Sequence, residues 1–208
     1  MLPGRATRLA ASSLARFVGT VLLTPLAPPA PAAPPLSFRA EKGDVRVTVP
    51  LRPGGAFEAK TSSLGGTVTL GAGRPLPLTG GLSVDLATID TGIDLRNRHL
   101  RESYLEIAKG EGFDRAVLSD LRLTDADGEA FRGRTAFSAT LLLHGARRPV
   151  SGTGEIRAEG SALQVQASFP LTLTDFGITP PEYLGVGVAN RLLVTVRFTA
   201  TPSERAGP

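Results

Sequence analysis

Cysteine and tryptophan are both absent from this chain of 208 residues. Without cysteine there is no disulfide framework, no thiolate metal site and no cysteine nucleophile. The one methionine, Met1, excludes a Met-rich adaptable groove. A long basic run is missing too. The formal charge is +4, but Arg5, Arg8 and Arg16 supply three of those charges from residues 1–32, which hold no Asp or Glu. Elsewhere Arg and Lys are interleaved with Asp and Glu, so the basic stripe that a nucleic-acid site needs is lacking and nucleic acid is not expected as a partner. Local catalytic signatures are also lacking: there is no H-E-x-x-H, no P-loop and no G-x-S-x-G. The "GVG" at Gly185–Gly187 has neither the third glycine nor the βαβ setting of a dinucleotide site. No cofactor is called for.

What the chain does contain begins with a leader-like segment. The three early arginines precede "FVGTVLLTPLAPPAPAA", a short apolar run ending in small residues. That is the order of a secretory signal, and Ala30-Pro31-Ala32 fits an A-x-A cleavage site. Pro25, Pro28 and Pro29 interrupt the run, which is too short to span a bilayer. The expected organisation is a signal over 1–32, a spacer over 33–35, a folded domain over 36–202 and a disordered tail over 203–208. The product is expected to be soluble and periplasmic or secreted, without a catalytic role. Peripheral contact with a membrane and a homodimer remain open.

From Leu36 onward the dominant period is two. Val45, Val47, Val49 and Leu51 share one face of "VRVTVPL". The same alternation runs through Leu163 to Leu173 and through Val194, Val196 and Phe198. Such alternation denotes strands with one apolar face. Turn-rich stretches such as "RPGG", "GAGRP", "DADGE" and "HGARRP" separate the runs by short distances. The pattern is that of an all-β, hairpin-connected antiparallel sheet, either a barrel or a sandwich.

One segment departs from this rhythm. From Leu95 to Ala108 the period is helical, with Leu100, Tyr104, Ile107 and Ala108 on one stripe. Asp94 is placed to cap its start, and Gly110 and Gly112 to stop it. Asp94, Arg96 and His99 form a candidate structural polar cluster at the strand-to-helix junction. A second reading uses His99 with Asp94 or Glu102 as a metal or acid/base centre on the polar helix face. A third has Arg98 and Glu102 as a solvated i,i+4 pair. Near the C-terminus, Phe176, Ile178, Tyr183 and Leu184 surround Pro180-Pro181 in a loop. These four side chains either form a satellite core or line a cavity entrance.

Three blocks in this order, "TGIDLRNRHLRESYLE", "FSATLLLHGARRPVSG" and "DFGITPPEYLGVGVANRLLVTV", resemble the YceI-like family. Together they span Thr91 to Val196. Two positions depart from the family's pattern: Asn97 and Asn190 stand where it often has Asp. The resemblance implies an eight-stranded antiparallel lipocalin-like β-barrel with one inserted helix. It implies export, and an isoprenoid or other long-chain lipid inside the barrel. On that reading Phe137, Leu141, Leu143 and Phe169 are expected to line the cavity. Leu171, Phe176, Ile178 and Val194 are expected there too. Leu100, Tyr104, Ile107, Tyr183 and Leu184 are expected as a gate or cap. A barrel filled by its own side chains is the competing structural reading.

Overall fold

The computed structural model describes residues 36–126, 132–183 and 185–203, with the side chain of Tyr183 excluded. The expected signal, spacer and gate residue Leu184, together with residues 204–208 of the tail, lie outside the described residues, as does the side chain of Tyr183.

The strands are β1 Ser37–Arg52, β2 Ala56–Thr61, β3 Gly65–Leu70, β4 Leu76–Asp85, β5 Arg115–Leu123, β6 Gly133–Leu143, β7 Ala146–Glu159, β8 Ala162–Thr172, β9 Glu182–Tyr183, β10 Val186–Val188 and β11 Arg191–Pro202. All pairings are antiparallel. β2 and β3 pair with successive halves of β1 in one continuous register, Val45 opposite Thr61 and Ala40 opposite Gly66. They therefore act as one interrupted strand. Counted so, eight strands follow one another around the wall, and β1 closes the ring against β11, with Val47 opposite Val194. Closure leaves the main wall without a free edge.

The hairpins explain themselves locally. His144 and Gly145 form the two-residue β6–β7 turn with φ of 50° and 74°. Two central residues at positive φ match the twist of the flanking strands. The turn is thus tighter than "HGARRP" implied, and Pro149 already lies in β7 opposite Thr140. Gly152 has a different function. A Cβ there would overlap the Ser168 carbonyl oxygen and crowd Phe169. Its bareness lets Phe137, directly opposite on β6, meet Phe169 edge-to-face at 6.1 Å.

Up-and-down topology brings the insertions to one end. β4 ends there and β5 begins there, so the helical segment sits at that end. β8 ends and β11 begins there as well, so the loop over 173–190 joins it. The small β9–β10 hairpin docks on the end of β1, where Leu51 faces Val188.

The helical segment corrects the expected single helix over 95–108. α1 spans Asp94–His99, followed by a wide turn over Leu100–Tyr104 in which the Leu105 N–H donates to the Leu100 carbonyl. Glu106 then turns left-handed at φ 50°, and a tight turn covers Ile107–Lys109 before Gly110 ends it at φ 80°. An i→i+5 turn inserts one residue and rotates everything after it by about 100°. Leu105 consequently enters the core, and Ala108, expected on the apolar stripe, is exposed. Asp94 does not cap: it lies in the first turn after Ile93, and no side chain caps that residue.

Candidate functional site

The inward strand faces enclose a cavity of about 1090 Å³. Well-packed interiors leave few voids larger than a water molecule, so this space, as large as the largest ligand pockets, is a cavity built into the fold rather than a packing fault. It also disagrees with the reading of a barrel filled by its own side chains. The wall is apolar because every strand presents alternate residues inward. On β8, Val165, Ala167 and Phe169 line it, opposite Phe198, Val196 and Val194 of β11.

The expected lining residues divide in two groups. Phe137, Leu141, Leu143, Phe169, Leu171, Ile178 and Val194 all line the cavity. Phe176 does not. It is 2% exposed, because the turn over Leu173–Phe176 buries its last side chain in the hydrophobic core beside the cavity. Among the expected gate residues, Leu100 and Tyr104 face the cavity. Ile107 faces instead a small outer pocket beside Arg101 and Glu102, a consequence of the rotation after the wide turn.

The expected polar cluster of Asp94, Arg96 and His99 is replaced by another. Asp94 and His99 are exposed. Asn97, 7% exposed, stands at the centre instead. Its Oδ1 accepts from the Thr91 N–H at 2.8 Å and the Thr91 hydroxyl at 2.6 Å, and its Nδ2 donates to Asp90 at 2.8 Å. Asp90 also accepts from the Gly92 N–H at 2.8 Å. That backbone bond, then the Asn97 amide, hold its carboxyl below the usual range. Arg96 grips the Thr91 carbonyl at 2.6 Å and stacks 3.9 Å over the Phe57 ring. The groups of the acid/base or metal reading are split: His99 lines the cavity, whereas Asp94 and Glu102 line the outer pocket. Among the described residues no group of three or more His, Asp or Glu is placed to hold a metal ion. Arg98 and Glu102 are exposed and form no ion pair.

The second histidine ties the mouth together. His144 Nδ1 donates to the Phe176 carbonyl at 2.9 Å, and Nε2 lies 2.9 Å from a Glu106 carboxylate oxygen. Glu106 also accepts from Lys109 at 2.7 Å; that bond, then the one to His144, lowers its pKa. Phe113 packs edge-on against the His144 ring, with centroids 4.9 Å apart. Three chain segments far apart in sequence thus meet at one imidazole, a contact with no local sequence signal.

At the lip of the cavity the side chains of Ile93, Leu95 and Val186 are 54%, 58% and 50% exposed. No helix among the described residues is long and apolar enough to cross a membrane.

Solved structures share this architecture. BcnA of Burkholderia cenocepacia superposes with a TM-score of 0.60 at 13% identity, covering 76% of this chain and 96% of its own. A polyisoprenoid-binding domain from Saccharophagus degradans, implicated in plant cell wall breakdown, gives 0.60 at 18% identity, covering 81% and 98%. The Campylobacter jejuni YCEI protein gives 0.50 at 11%, covering 71% and 85%. At these identities the likeness is one of fold. No curated protein sequence matches the chain significantly. The model of the YceI-like domain, however, matches residues 39–200, nearly the whole barrel, and the chain accordingly belongs to the YceI-like domain family.

Proposed function

We propose that this protein is an exported carrier that holds a polyisoprenoid, or a similar long-chain amphiphile, inside its barrel for transport or storage. The observation that carries this is the 1090 Å³ apolar cavity in a closed eight-stranded wall. Eight strands give an interior wide enough for one ligand when the inner side chains are modest in size, and here many are Val, Leu and Ala. Each methylene moved from water into such a wall gains about 0.8 kcal/mol. A long tail is therefore retained by many weak contacts, and cavity length and shape set its selectivity. The polyisoprenoid-binding domain of Saccharophagus degradans shares the fold, which supports the ligand class. The arginine-led apolar segment before Ala33 supports export.

The function is one of binding, and the helical segment with the loop over 173–190 forms the gate. Solvent extraction of protein purified from the exported fraction, followed by mass spectrometry of the extract, tests the reading. A stoichiometric isoprenoid or long-chain lipid is expected. An extract without lipid, from protein that also takes up no added isoprenoid alcohol or quinone, contradicts it.

A further inference from the structure

The cavity wall is apolar almost throughout, but its ionisable groups are not spread evenly. Lys60, Arg96 and His99 lie on β2 and α1, and the acid Glu182 lies on β9. β2 and the approach to α1 are joined directly. Lys60 and Asp90 exchange backbone hydrogen bonds of 2.8 and 2.9 Å. Arg96 then reaches back to the Thr91 carbonyl. Thr91 itself lines the cavity and is buried.

Arg96 is the unusual member. Its guanidinium lies over Phe57, its Nε–H is shut off from solvent without an acceptor, and no carboxylate among the described residues pairs with it. Asp90, at the same junction, is already engaged by Gly92 and Asn97. Arg96 is partly buried, and a cation held against an apolar wall without a counter-charge is stabilised by an anion brought to it. Arg101 makes an informative contrast. Its Nε is also buried without an acceptor, but it lines the outer pocket beside Glu102, not the cavity.

We propose that the Arg96 corner of the cavity mouth, with Lys60 and His99 beside it, binds an oxyanionic head group on the carried lipid. The inference rests on the carrier reading and adds the orientation and class of the cargo: tail inward along β8 and β11, carboxylate or phosphate at α1. Arginine suits either oxyanion, because its fork of donors matches planar and tetrahedral oxygens alike.

Delipidated full-length protein is titrated with four probes of equal chain length: a fatty acid, its methyl ester, the alkane and the alkyl phosphate. The acid or the phosphate is expected to bind at least about tenfold tighter than the ester and alkane, a charge-assisted hydrogen bond being worth about 1.5–3 kcal/mol. The stronger of the two identifies the head group. Arg96→Gln should erase the preference, and Arg101→Gln should preserve it. Lys60→Gln, at an exposed position that does not threaten the fold, should weaken it severalfold. Equal binding of all four probes, or a preference that survives both Arg96→Gln and Lys60→Gln, overturns the head-group site while the carrier reading stands. Failure of every probe to bind overturns both.

Discussion

Asn97 shows how much one atom decides. Its amide uses both ends, accepting from Thr91 and donating to Asp90. Aspartate is nearly the same shape but cannot donate when ionised, and it would set two carboxylates about 3 Å apart. Asn97→Asp should therefore lower stability by about 2 kcal/mol or more at pH 7. The deficit should shrink near pH 4, where a shared proton restores the bond; thermal unfolding at the two pH values reads this. Asn190 makes the weaker case. Its amide bonds the Thr174 N–H and hydroxyl at 3.1 and 2.9 Å, and the hydroxyl can itself donate to an aspartate. Asn190→Asp should be nearly silent in the same assay. Glu106 adds an acid limit. Lys109 and then His144 lower its folded pKa below that of the unfolded chain. Its contribution is therefore complete above the unfolded carboxylate value of about 4.3 and lost as pH falls through the folded value. Glu106→Gln should reduce the melting temperature at pH 7 and flatten its decline in acid, as measured by calorimetry from pH 7 to pH 2.

At the scale of elements, the strands were legible because alternation is local. Val45, Val47, Val49 and Leu51 line the cavity together, as their period-two spacing requires. The helix was legible only up to the point where the backbone leaves its period. Nothing in "LRESYLEIA" marks the wide turn that buries Leu105 and exposes Ala108. That turn is set by where the barrel needs an apolar residue. Phe176 misled for the opposite reason: a loop side chain has no period to orient it. The contact of Phe137 with Phe169 depends on a third strand, and Gly152 is its local trace. Gly152→Val should destabilise the barrel by about 1–3 kcal/mol, since the new atoms meet a carbonyl oxygen and the Phe169 side chain. A fall of several degrees in the melting temperature is expected, and no change would show that the β7–β8 pair yields more easily than its geometry implies.

For the molecule as a whole, closure and emptiness of side chains go together. The ring through β1 and β11 fixes the wall, alternation keeps its inner face apolar, and up-and-down order puts α1, the loop over 173–190 and the His144 contact at one end. Among the described residues this end is the elaborated mouth, with apolar lips at Ile93, Leu95 and Val186. A lipid in the interior is excluded by filling that interior with a side chain. Ala167 lines the cavity midway along β8, and Ala167→Trp directs an indole into it. Native mass spectrometry of wild type and variant, both folded and both offered the same isoprenoid alcohol, compares their loading. The wild type should carry one discrete lipid adduct and Ala167→Trp little or none. Equal loading of the two proteins, or an unloaded wild type, would contradict a lipid in the interior.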